Sequence, residues 1–161
     1  MILRFIVCLF AISLCGCGPS AKQLAEQQAH QTFREAVAAL KVCTSGSTYA
    51  EFRDKWMALE TCYTANQNLL KEDETQMQSL IALARAVDNI WNINNQINAD
   101  PAAFVSSRHH GDWTDSLNVV EKFASPSQVT FLKTASRDKF PEDYIQTGLT
   151  LISNQCDELL K

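Results

Sequence analysis

The chain of 161 residues is 46% hydrophobic and 20% charged, near the averages of soluble globular proteins, which excludes wholesale disorder, collagen-like repeats and a polytopic membrane protein. Its 14 basic and 18 acidic residues leave a net charge of −4, without the basic footprint that a nucleic-acid partner requires. In chain order, the first element is Phe5 to Gly16, an uncharged run behind a single basic residue, Arg4. As a helix it would reach only about 18 Å, against the roughly 30 Å of a hydrocarbon core. It reads as the apolar region of an export signal and not as a lasting membrane span.

That run ends in Leu14-Cys15-Gly16-Cys17, which resembles the lipobox of bacterial lipoprotein precursors. The resemblance implies a diacylglycerol thioether on Cys17 and cleavage before it, so that residues 1–16 are a removed signal peptide. By analogy with enteric lipoproteins, Gly18 at the second mature position implies an outer-membrane anchor facing the periplasm. An ordinary secretory signal, cleaved after a small residue such as Gly16, is the alternative, and both readings export the protein. Two or three acyl chains on one cysteine hold a membrane far better than one, at about 0.8 kcal/mol per buried methylene. Without its first sixteen residues, which hold only Arg4, the chain has 13 basic and 18 acidic residues, a net −5. Residues 17–22 are then a lipidated cysteine with a short tether, and 23–161 a single helical domain.

The rest reads as all-α, an irregular helical bundle: a long αα-hairpin plus a third helix, then shorter C-terminal helices. From Ala21 to Cys43, Leu24, Phe33, Val37 and Leu40 recur with helical period in an Ala- and Gln-rich background. Thr44-Ser45-Gly46-Ser47-Thr48 breaks that helix, and Thr48 with Glu51 has the spacing of a capping box. Tyr49, Phe52, Trp56, Leu59, Tyr63, Asn66 and Leu70 then mark the clearest amphipathic helix. After the acidic turn Glu72-Asp73-Glu74, a solvated run suited to a helix start, Met77, Leu80, Ile81, Ala84, Val87 and Trp91 form a third stripe. It is expected to fade into the Asn-rich stretch from Asn89 to Asn98 and to stop at Asp100-Pro101. Pro101, Gly111, Pro126 and Pro141 divide the second half into helices near 101–108, 113–124, 126–138 and 141–160, each proline suiting a first helical position. Between Gln128 and Thr134, Val-Thr-Phe-Leu also has strand character, though a strand here lacks a partner. The segment from Ala38 to Leu70 resembles helical hairpins of uncharacterised bacterial envelope proteins, and this likeness implies a fold without implying an activity.

Of the six cysteines, Cys8 and Cys15 leave with the signal and Cys17 takes the lipid. For the remaining three, an oxidising compartment leads us to expect a bridge from Cys156 to Cys62, with Cys43 as the alternative partner. Cys43 and Cys62 should not pair within one straight hairpin, since Cys62 lies roughly 20 Å along the second helix from the turn and a disulfide needs Cα atoms within about 7 Å. Three buried thiols, behaving as small apolar side chains, are the other reading.

Arg108-His109-His110-Gly111-Asp112 holds two imidazoles and a carboxylate, so His109, His110 and Asp112 are the weak metal candidates; an exposed loop with Asp112 capping the next helix explains the same residues. His30 reads as a solvated histidine one turn from Glu26 and Arg34. Trp56, Trp91 and Trp113 fall on the apolar stripes and read as core, with a ligand pocket between helices as the alternative. Trp91, Asn94, Asn95 and Asn98 share one face, which suits a protein or polysaccharide partner, or else simply a fraying helix end. Zinc and haem spacings, nucleophile elbows, phosphate loops and paired glycosidase acids are absent from the sequence, so neither a cofactor nor a catalytic residue is expected. The resulting expectation is a structural or protein-interaction module on a lipid anchor, in contact with the membrane and an envelope protein and not an enzyme. A periplasmic carrier of a small ligand or metal is the second class.

Overall fold

The computed structural model describes residues 20–71, 73–99, 110–134 and 140–161. Within them every element is a helix: α1 (Ala21–Cys43), α2 (Tyr49–Asn66), α3 (Glu74–Ala99), α4 (His110–Phe123), α5 (Pro126–Thr134) and α6 (Phe140–Leu159). The fold is all-α, a helical bundle built on the expected hairpin and third helix.

Local chemistry sets the helix starts. Thr48 and Glu51 close the expected capping box, with Thr48 N–H donating to Glu51 Oε2 (2.8 Å) and Glu51 N–H to Thr48 Oγ1 (3.3 Å). Ser20 and Gln23 form a second box at the head of α1, which starts at Ala21 as its composition and period led us to expect. A reciprocal Ser125–Gln128 pair starts α5 at Pro126, and the Val129–Leu132 stretch is therefore helical and not a strand. Between α1 and α2 the chain reverses at Gly46, whose φ of +116° is the reason for glycine there, since a Cβ would meet nothing within 4 Å.

α3 ends at Ala99, where Asp100-Pro101 was expected to stop it, but it does not fade on the way: the Asn-rich stretch is regular helix. The low propensity of Asn is overridden by burial: Ile90 is wholly buried and Ile93 nearly so, and Trp91 packs against the core between them. The helix expected near 101–108 lies outside the described residues, as does the end of the 126–138 helix beyond Thr134.

Four helices close a ring, α1 on α2, α2 on α3, α3 on α6 and α6 back on α1. Register pairs such as Tyr49 with Trp91 and Tyr63 with Gln78 show α2 and α3 antiparallel, and α6 runs back along α1 with Arg34 donating to the Leu160 carbonyl. The ring is thus up-down-up-down, with α4 and α5 inserted before its last helix. α4 lies against α3 and α6, while α5 packs on α6. Serving three neighbours, α3 is buried round most of its circumference, from Met77, Leu80 and Ile81 to Leu83, Ala86 and Val87. Each such fully buried Leu or Ile contributes on the order of 1.5–3 kcal/mol from apolar area removed from water.

Candidate functional site

Two surfaces collect the residues that sequence reading singled out, and α1 supplies the first. From Ala21 to Gln28 this helix buries no side chain; its first core residue is Ala29. Its leading two turns therefore stand clear of the body, with Leu24 52% exposed. One side of this rod, carrying Lys22, Glu26, His30 and Arg34, faces Leu69 and Lys71 of the α2–α3 connection across an open cleft of about 880 Å³. The cleft carries both signs of charge, although more of its lining surface is apolar than polar. Lys22 pairs with Glu26 at 3.6 Å, and Gln31 Nε2 donates to Glu35 Oε1 at 3.0 Å, both along the helix. His30 is half-buried rather than freely solvated, since a second recess brings it beside Phe33, Met77 and Leu159. Sequence reading missed the cleft because its far wall comes from a loop some forty residues away.

The second surface is the end of the α2–α3 seam. Trp91 is half-buried, with the rings of Tyr49 and Phe52 each 5.7 Å from it, centroid to centroid. These contacts make it a packing residue of the seam, and Trp56 is buried two turns further along α2. Asn95 and Asn98 are exposed on α3 while Asn94 is half-buried, so the amides border solvent but the indole beside them is largely covered. Asn89 instead turns inward, donating to Ser116 Oγ of α4 at 3.4 Å. Beneath Trp91, one turn back along α3, lies Asp88, 7% exposed. Burial, and then that carboxylate, push the Tyr49 hydroxyl above its ordinary pKa, against the opposing pull of Arg53, whose guanidinium lies 5.9 Å from the ring centre. Trp113, the third tryptophan, packs near Phe140 at 6.5 Å and belongs to the α4–α6 contact.

The expected disulfide is not formed: Cys43, Cys62 and Cys156 are all free thiols. The ring topology supplies the reason. Cys62 ends α2 on one diagonal of the ring, half-buried beside Asn66, whereas Cys156 sits in α6, which packs on α1 and α3. Cys43 closes α1 at the opposite end of the hairpin, its thiol 3.9 Å from the Glu51 carbonyl. Burial pushes the Cys156 thiol up to about 12, with Asp157 adding to the shift and Lys41 opposing it. Of the metal candidates, Asp112 is exposed in the first turn of α4, His109 lies outside the described residues, and His110 begins that helix. Among the described residues no three His, Cys, Asp or Glu side chains come together as a metal site, and no helix is long and apolar enough to cross a membrane. No family model, curated protein or solved structure matches the chain, so its function has to be argued from its own residues.

Proposed function

We propose that this is a lipid-anchored protein of the bacterial cell envelope, held at the outer membrane through Cys17, whose helical body is a structural or protein-interaction module. The observation that carries the reading is the form of α1. Its capped start at Ser20 follows the acceptor cysteine by three residues, and its first two turns stand free of the core. A helix has little reason to extend past the body it packs on unless something outside that body meets it, because short helical segments without tertiary contacts are only marginally stable in water. The cleft on the flank of this rod, with charged side chains over apolar lining, is a surface for a protein partner on the membrane side of the bundle, and the exposed amides at the end of α3 are a second surface at the far end.

The anchor and the contact are tested separately. Mass spectrometry of the N-terminal peptide from the membrane fraction is expected to find an acylated Cys17 with residues 1–16 removed, and Cys17→Ser to release the protein from that fraction. An unmodified Cys17 would sink the anchor. Photo-crosslinkers at Gln27 and Gln31 in intact cells are expected to yield one reproducible adduct that a crosslinker at Lys55, on the outside of α2, does not. Equal, diffuse labelling from all three positions counts against an interaction surface in the cleft.

A further inference from the structure

Two side chains more than nine-tenths buried each hold a polar atom with no partner: Trp56 Nε1 on α2 and Asp88 Oδ1 on α3. A buried polar group left without a partner forfeits its hydration and gains nothing in return, so two of them in one helix seam call for an explanation. Register places them together. Descending α2, Tyr49 and Phe52 meet Trp91 of α3, Glu60 meets Arg85, and Tyr63 meets Gln78. Trp56 falls between Phe52 and Glu60 as Asp88 falls between Trp91 and Arg85, so the two orphaned atoms share one level of the seam. Their hydrogen-bonding senses are opposite, the indole nitrogen being only a donor and the carboxylate oxygen an acceptor.

That opposition selects the occupant. A metal ion could satisfy the carboxylate but would face the indole N–H proton, and an anion would suit the indole but be repelled by the carboxylate. A water molecule accepts and donates at once. We infer that one water is built into the α2–α3 seam, accepting from Trp56 Nε1 and donating to Asp88 Oδ1. Buried waters in globular proteins hold such otherwise unsatisfied groups as a rule. The water then ties Trp56 of α2 to Asp88 of α3, a buried polar link that fixes the axial register of the two helices. A slip of one turn would strand both groups.

Water–protein NOE and ROE spectroscopy on the isotope-labelled protein tests the inference. The chain has three indole N–H signals, and Trp56→Phe identifies the relevant one by its loss. The Trp56 Hε1 proton is expected to show a long-lived water contact that disappears in Asp88→Leu and persists in Asp88→Asn, which keeps an acceptor oxygen. A missing contact in the unsubstituted protein, or one that survives in folded Asp88→Leu, overturns the inference. Should Asp88→Leu fail to fold, a high-resolution crystal structure of the unsubstituted protein decides alone. Ordered solvent within hydrogen-bond distance of both atoms supports the site, and a direct Trp56–Asp88 bond removes it.

Discussion

Tyr144 is 1% exposed yet carries a hydroxyl, which it satisfies by donating to Glu121 Oε1 at 2.6 Å. Lys133 Nζ reaches the other oxygen of the same carboxylate at 3.1 Å, so one side chain of α4 joins α5 and α6. These partners, Tyr144 first, hold the Glu121 carboxyl below its ordinary pKa despite an opposing desolvation cost. A carboxyl shifted in that direction contributes stability that is present above its unfolded pKa and lost as pH falls through its folded one. Tyr144→Phe is therefore expected to lower stability by about 1.5–3 kcal/mol near neutral pH, the range for a hydrogen bond to a charged group. In urea titrations the gap between the two proteins should narrow as the pH drops below the carboxylate range. A gap that stays constant with pH removes the ionised carboxylate from the explanation. The thiols give a second expectation at this scale. Cys156 is wholly buried and Cys43 nearly so, whereas Cys62 is half-buried with its pKa raised by burial alone. Under native conditions a maleimide should modify Cys62 slowly and faster with rising pH, leaving Cys43 and Cys156 for the unfolded chain. Peptide mapping that finds Cys156 labelled first contradicts the packing of α6.

Between elements, α6 approaches α3 closely at Gly148. A Cβ on Gly148 would lie 2.3 Å from Val87 Cγ2, and Val87 is itself wholly buried and, being β-branched, stiff about χ1. Replacing this helical glycine with alanine gains about 1 kcal/mol in propensity. The clash forces helices apart in a filled core, at a cost of roughly 1–3 kcal/mol or more, so the balance for Gly148→Ala is destabilising. Because the cause is one methyl group, Val87→Ala should partly rescue Gly148→Ala, and urea midpoints of both single variants and the double should be non-additive in that direction. Additive losses would place the strain elsewhere. Such a contact is invisible in a single sequence, because Val87 and Gly148 belong to helices separated by two inserted ones. What sequence does reveal at this scale is local: the Thr48–Glu51 box, the Ser125–Pro126 start and the three- and four-residue stripes all mark real helices. Local rules fail where tertiary burial overrides them, as at Ile90 and Ile93, which keep α3 helical through a stretch of poor helix formers. The expected Cys62–Cys156 bridge fails for the same reason, since cysteine count and compartment say nothing about which diagonal of a ring a thiol occupies. Of the candidate site, Trp91 and its neighbouring amides were legible as a shared face, but that the indole is covered by Tyr49 and Phe52 depends on a partner helix. The cleft beside α1 was not legible at all.

For the whole molecule, the proposed anchor turns the direction of α1 into a statement about height. This helix has 23 residues and so spans about 35 Å, while the three residue steps from Cys17 to Ser20 reach at most about 11 Å. Its free leading turns would be kept near the bilayer, and the α1–α2 turn at Ser45 would sit the length of the bundle away. Acidic residues outnumber basic ones in the body, which discourages it from lying flat on an anionic surface, whereas Lys22 is 80% exposed at the end nearest the anchor. A genetically encoded fluorophore at Gln23 in the acylated full chain, reconstituted in vesicles with a headgroup quencher, is expected to be quenched several-fold more than one at Ser45. Equal quenching at both positions means that the body lies on the membrane and that the cleft beside α1 is turned into lipid rather than toward a protein partner. On the proposed anchor, an upright arrangement would leave that cleft open at membrane height, where a second envelope protein on the same leaflet would meet it.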